Sequence, residues 1–147
     1  MYVASPNALH YEHTMACLAA GKHVLCEKAF ASNARQAEDM CHLSREKGLS
    51  LMEAMKTTHS GTFKRVMEAL PRIGTIRRYF ACYCQYSSRY DRFKSGIILN
   101  AFRSELSNGS LVDIGVYGFY PMVTLFGKPS RVEASCYKLH TGGDGQG

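Results

Sequence analysis

Gly21-Lys22-His23-Val24-Leu25-Cys26-Glu27-Lys28 runs from a glycine through a short apolar stretch into two charges. This order reads as a helix-ending glycine, a short buried strand, and charged residues at that strand's carboxyl end. The flanking sequence repeats the theme. Upstream, Met1-Tyr-Val-Ala-Ser-Pro-Asn7 is an apolar run stopped by a proline, which suits another buried strand. Between the two, Tyr11, Met15 and Leu18 fall at i, i+4 and i+7 and predict a helix that closes at Gly21. Downstream, Asn33 and Gln36 have capping-box spacing, and Ala37, Met40, Cys41 and Ser44 share a helical face that Gly48 ends. Leu49-Ser-Leu-Met-Glu-Ala54 then predicts a third strand.

The pattern is β-α-β-α-β with short connections, as expected of parallel strands buried on both faces by helices. Three strands and two helices make half of a doubly wound α/β domain, and no glycine-rich turn occurs in it. Ligands of such sheets bind beyond the carboxyl ends of the strands. Ser5, Pro6, Asn7, Glu27, Lys28 and Glu53 stand at those ends, so spacing alone nominates them as the functional edge.

After Met55 the pattern changes. Phe63, Val66, Met67 and Leu70 predict a short helix closed by Pro71. Ile73 to Tyr86 reads as one long strand, with Ile76, Phe80, Cys82 and Cys84 on one face. Arg89 to Gly109 has no period and reads as a long functional loop. Asn108-Gly109 turns into an apolar helix over 110–126, on which Asp113 and Tyr117 share a face. Pro121 should kink that helix and free the Tyr117 carbonyl. Gly127 to Pro129 ends it, Arg131 to Leu139 predicts a further strand, and His140 to Gly147 a loop. The chain thus divides into a partial nucleotide-binding unit over 1–56 and the start of an α+β domain with a large open sheet over 57–147.

The hydrophobic fraction of 46% and charged fraction of 20% fit a globular chain. No apolar stretch approaches the roughly 20 residues that span a bilayer, and no secretory signal pattern is visible. A cytoplasmic protein without membrane partners is expected. The six cysteines show no Cys-x-x-Cys and no zinc spacing. Cys17, Cys26, Cys41 and Cys136 lie in apolar segments, and Cys82 and Cys84 alternate along a strand; reduced core thiols are expected. The net charge of +6 raises the question of nucleic acid. Arg72, Arg77, Arg78, Arg89, Arg92 and Lys94 mix with Tyr79, Tyr83, Tyr86 and Tyr90, but no groove-entering element accompanies them. These residues read as a solvated face or as an anion-attracting rim around a substrate site, and no nucleic-acid partner is expected.

Three segments together resemble the Gfo/Idh/MocA (glucose–fructose oxidoreductase/inositol dehydrogenase) family. Ala4-Ser5-Pro6-Asn7-Ala8-Leu9-His10 is similar to its Ala-Thr/Ser-Pro-Asn-x-x-His strand end. Gly21 to Lys28 is similar to its Gly-Lys-His-Val-x-x-Glu-Lys-Pro. Asp113-Ile114-Gly115-Val116-Tyr117 is similar to its Asp-Ile-Gly-x-His/Tyr. Two departures stand out: Ala29 replaces the motif proline, and Lys56-Thr57-Thr58-His59 replaces an aromatic-Thr-Arg segment. The resemblance implies the C-terminal half of a Rossmann-type sheet and the beginning of the substrate domain. It also implies a partial chain, because family members are roughly twice this size and carry a Gly-x-Gly-x-x-Gly loop ahead of the part seen here.

By the same resemblance the activity is hydride transfer between NAD or NADP and a polyol, sugar or dihydrodiol, in a full-length form that is a homo-oligomer. The isolated chain is expected to be inactive, and a non-catalytic remnant or interaction module is the alternative. Such chemistry needs a group that moves the hydroxyl proton, and a tyrosine beside a cation can do so. The resemblance gives these roles to Lys28 and Tyr117, with Asp113 orienting the substrate hydroxyl or holding Lys28. It places Ser5, Pro6, Asn7, His10, Glu27 and Lys28 on the cofactor. Local readings compete with several of these. Asn7 suits a helix N-cap, Asp113 a helix first turn, Tyr117 an interface aromatic, and Glu53 a structural hydrogen bond. His10 and His13 are at i, i+3 with no third ligand nearby, so no metal is expected.

Overall fold

A computed structural model describes residues 1–135. Three short parallel strands, β1 (Tyr2–Val3), β2 (Val24–Cys26) and β3 (Leu51–Glu53), pair in the order β1-β2-β3. Tyr2 lies opposite Leu25, Val3 opposite Cys26, and Cys26 opposite Glu53. This register sets the three carboxyl ends side by side.

Helix α1 (His10–Ala19) links β1 to β2, and α2 (Ala34–Glu46) links β2 to β3. Asn33 caps α2, its side chain accepting from the Gln36 amide, while Gln36 Oε1 accepts from the Ser32 amide. Both helices end as the glycines predict. At α1 the Gly21 amide bonds the Leu18 carbonyl and the Lys22 amide bonds the Cys17 carbonyl, the paired closure of a Schellman motif. Gly21 adopts φ 71°, a left-handed turn that a residue without Cβ makes at no steric cost.

The expectation of a sheet covered on both faces fails. Val3, Val24 and Cys26 are buried against Leu18, Cys17 and Leu43 from the two helices, but Tyr2, Leu25 and Met52 on the opposite face are 60%, 40% and 53% exposed. The cause is topological. Two right-handed crossovers that move the same way across a sheet deposit both helices on one side. The buried stripe of α1 also differs from the predicted one: it is His10, Thr14 and Leu18, with Tyr11 and Met15 only half-buried. Polar His10 goes inside because its ring lies between the Ala29 and Ser5 carbonyls, either of which can take its N–H.

Beyond β3 come α3 (Gly61–Ala69), α4 (Tyr90–Lys94) and α5 (Val116–Phe126). Ser60 caps α3 by accepting from the Phe63 amide, and Phe63 is buried. The long strand expected over Ile73–Tyr86 is not formed. No ladder partner for it exists among the described residues, and without cross-strand bonds an alternating sequence has no reason to settle as a strand. Phe80, Tyr83 and Tyr86 are exposed there, as are Cys82 and Cys84, which are therefore not core thiols. The region over 89–109, expected as a long functional loop, contains α4 and short 3-10 turns. The predicted helix over 110–126 exists, but its first turn, Leu111–Gly115, is π-helical. Pro121 sits inside α5, and Gly127, at φ 80°, closes it. The strand expected from Arg131 shows no strand pairing over 131–135, and its remainder, with Cys136 and the final loop, lies outside the described residues.

Candidate functional site

The turn after β2 aims Lys28, and three side chains hold that turn. His10 Nδ1 lies 2.7 Å from the Ala29 carbonyl, Glu27 Oε2 accepts from the Lys28 amide at 3.2 Å, and Glu53 Oε1 accepts from the Phe30 amide at 3.0 Å. The Lys28–Ala29 peptide bond is cis. Lys28 leaves this turn pointing across the edge of the sheet. Its Nζ donates to Asp113 Oδ1 at 2.5 Å and to the Asp113 carbonyl at 2.8 Å. The same Nζ lies 5.2 Å from the centre of the Tyr117 ring, within the range of cation–π attraction.

Asp113 reaches Lys28 from the π-helical turn, whose amide at Asp113 is held by the Gly109 carbonyl. Tyr117 follows in the first turn of α5 and stacks on Tyr83, ring centres 6.0 Å apart at 21°. The Tyr117 hydroxyl has no hydrogen-bond partner among the described residues, which leaves it available to a ligand. The Lys28 and Asp113 side chains are 17% and 35% exposed, so the pair is substantially shielded from water.

Asn7, in the 3-10 turn between β1 and α1, crosses to the same far side. Its Nδ2 donates to the Ser107 carbonyl at 3.2 Å and to Asn108 Oδ1 at 2.8 Å. Ser32 Oγ and Ser107 Oγ meet at 2.6 Å. Beyond these contacts opens a cleft of ≈510 Å³, its wall including Arg89, Ile98, Leu99, Asn100, Asn108 and Asp113. The wall mixes apolar side chains with amides, a guanidinium and a carboxylate, a lining suited to a small polar molecule. Of the six basic residues set aside as a possible rim, Arg89 does border this cleft.

The structure brings Asn7, Lys28, Asp113 and Tyr117 to one place, with half-buried Ser5 and exposed Pro6 on the adjoining edge. Two expected site residues sit differently. Glu27 turns back toward β1, one oxygen taking the Tyr2 hydroxyl and the other the Lys28 amide. His10 is fully buried, its Nδ1 against the Ala29 carbonyl and its Nε2 against the Ser5 carbonyl at 2.9 Å, so its ring packs between the two edge loops. The N-cap reading of Asn7 also fails: its side chain makes no capping bond to the turn Asn7–Leu9 and goes to the 107–108 loop. Glu53 has the structural bond to Phe30, and burial pushes its carboxyl above the ordinary range. Burial likewise raises the Tyr120 hydroxyl, three residues past Tyr117.

Sequence reading missed Ser107, Asn108, Asn100 and Tyr83. Asn108-Gly109 carried only a turn signal, and nothing in a turn dipeptide says which distant amide it meets. Ser107 adopts φ 53°, the one non-glycine left-handed residue among those described, which no periodicity announces.

Comparison with known proteins gives the family and the fold. Residues 1–55 match the Gfo/Idh/MocA family model, described as an oxidoreductase family with an NAD-binding Rossmann fold. All 147 residues align at 57% identity with the scyllo-inositol 2-dehydrogenase (NADP(+)) IolU of Bacillus subtilis, of which they cover 45%. The trans-1,2-dihydrobenzene-1,2-diol dehydrogenase of Mus musculus is 30% identical over 90% of this chain and 39% of its own length. Among solved structures, the 3-ketoreductase KijD10 of Actinomadura kijaniata, in complex with NADP and TDP-benzene, superposes with a TM-score of 0.64 at 30% identity. That match covers 86% of this chain and 37% of KijD10. The chain therefore spans less than half the length of these relatives.

Proposed function

Because the chain belongs to the Gfo/Idh/MocA oxidoreductase family, we propose that it carries the proton-handling half of an NAD(P)-dependent dehydrogenase acting on a cyclic polyol or sugar. Residues 1–56 serve the nicotinamide side and residues 57–147 the substrate side. NADP is the favoured cofactor, since scyllo-inositol dehydrogenase IolU is named for it and KijD10 holds it. The edge suits a nicotinamide: Asn7 uses both amide hydrogens within the protein and keeps its oxygen free to accept. Ser5, Pro6 and Asn7 would hold that end of the cofactor. When bound, it supplies the hydride acceptor or donor.

The remaining work falls to Lys28, Asp113 and Tyr117. Oxidation of a carbinol leaves a hydroxyl proton to be removed, and Tyr117, with its hydroxyl unengaged, would take that proton while releasing its own to solvent. The Lys28 ammonium offsets the negative charge that develops on the substrate oxygen, acting as a fixed dipole acts in a shielded site. Asp113 holds Lys28 by a carboxylate oxygen and a carbonyl, so the ammonium does not drift toward water. Glu27 and His10 fix the turn that carries Lys28. The observation that supports this most directly is the convergence of Lys28 Nζ, Asp113 and the Tyr117 ring.

A chimera tests it. The matching segment of the Bacillus subtilis scyllo-inositol dehydrogenase is replaced by this chain, and NADP-dependent oxidation of scyllo-inositol is measured. Activity that falls by about 10² or more in Lys28→Met is the expected result for lost stabilisation of charge developing on the substrate oxygen. A folded, NADP-binding chimera in which Lys28→Met turns over normally would end the proposal.

A further inference from the structure

Three asparagines link the cofactor edge to the substrate cleft, and their polarity is determined. The Ser107 carbonyl can only accept, so Asn7 must face it with Nδ2, at 3.2 Å. The second hydrogen of that Nδ2 goes to Asn108 Oδ1 at 2.8 Å. The other end of the Asn108 amide, Nδ2, donates to the Asn100 carbonyl at 2.9 Å, which again can only accept. Reversing either amide would set oxygen against oxygen. Asn108 and Asn100 both border the ≈510 Å³ cleft, while Asn7 opens the 3-10 turn that follows β1.

Ser107 adds a second connection, through its hydroxyl to Ser32. Its left-handed backbone, φ 53°, is uncommon for a residue with a Cβ and is held only where surroundings over-determine it. That conformation accompanies a carbonyl turned to Asn7 and a hydroxyl placed against Ser32. The loop is thus tied to both strand-end connections of the sheet.

Resting on the function proposed above, we infer that Asn108 is a positioning residue that couples the cofactor edge to the substrate cleft. A ligand that engages the free oxygen of Asn7 fixes the Asn7 amide, and with it Asn108 and the cleft wall at Asn100. By linkage, substrate and cofactor must then alter each other's affinity by the same factor. Asn108 itself retains one amide hydrogen, which can donate to an acceptor oxygen of the substrate at the wall.

The test uses the chimera and two readouts. First, scyllo-inositol affinity is measured by calorimetry with and without NADPH, a cofactor form that cannot take a hydride from the polyol. The ratio should be on the order of fivefold or more, and should collapse toward one in Asn108→Ala while NADPH binding and folding are retained. Asn108→Asp keeps the acceptor for Asn7 but loses the donor to Asn100, and should keep only part of the ratio. An unchanged ratio in Asn108→Ala overturns the coupling. The second readout needs no ligand: exchange of the Asn7 side-chain amide protons, followed by NMR, should quicken at least about tenfold in Asn108→Ala, the loss of one hydrogen bond's protection. Unchanged exchange also overturns the inference. Failure of the proposed function looks different: no NADP-dependent turnover in the parent chimera, whatever Asn108 does to Asn7.

Discussion

Lys28 Nζ and Asp113 Oδ1 meet at 2.5 Å across 85 positions of sequence. The contact joins the carboxyl edge of a parallel sheet to the π-helical turn that opens the last helix, and the Tyr117 ring lies against the same ammonium. Ala29, where the motif has proline, does not prevent this aim, because His10, Glu27 and Glu53 hold the turn by hydrogen bonds.

Lys28 and Tyr117 should behave as one unit. In the chimera, Lys28→Met and Tyr117→Phe should each lower turnover by about 10² or more. The double variant should lose little beyond the worse single, as groups acting together do. Fully multiplicative losses would mean independent roles.

Asp113 should act through Lys28. Asp113→Asn keeps the backbone carbonyl on Nζ but removes the counter-charge, and turnover should fall about tenfold, near 1.4 kcal/mol of barrier, with a smaller change in KM. Introduced into Lys28→Met, the same substitution should add almost nothing. Steady-state kinetics of the four proteins decides it.

His10 should matter without touching a ligand. His10→Ala empties a fully buried position whose ring packs between the Ala29 and Ser5 carbonyls and should destabilise the fold by about 2–4 kcal/mol. Urea unfolding of the chain measures this. A loss under about 0.5 kcal/mol, the range of ordinary surface changes, would contradict this packing.

Glu53 should set a pH dependence of stability. Burial raises its folded carboxyl above the ordinary 4.5, with the Phe30 amide and His10 opposing. The folded state therefore keeps a proton that the unfolded chain releases, and stability falls as pH rises from about 4.5 through the raised value. Glu53→Gln can still accept from Phe30 without the buried charge. Relative to the wild type it should gain stability between pH 4 and pH 7, read as urea midpoints at several pH values. A flat difference would refute the assignment.

The 147 residues contain no Gly-x-Gly-x-x-Gly segment, so the cradle that normally takes a dinucleotide diphosphate is not among them. The chain by itself should show no saturable NADP binding below about millimolar concentration, the level left when phosphate contacts are lost. Calorimetric titration giving micromolar affinity would show that the edge alone suffices.

What the sequence determined by itself is local. The β-α-β-α-β order, the Asn33 cap, the Gly21 and Gly48 closures and the strand-end positions of Asn7 and Lys28 follow from periodicity and from hydrogen bonds a few residues long. Asp113 and Tyr117 could be paired because they lie one helical turn apart, and motif resemblance added Lys28 to them. The tertiary structure decided the rest. That both helices cover one face depends on strand order and crossover hand, which no single segment contains. Whether Ile73–Tyr86 forms a strand depends on a partner elsewhere, and an alternating pattern cannot supply one. Asn7 meeting Asn108, and His10 burying itself under two loops, are contacts of particular atoms brought together by chain closure. Their geometry is a property of the packed whole, because a hydrogen bond is gained or lost over a few tenths of an ångström while local propensity places a residue only to within a turn.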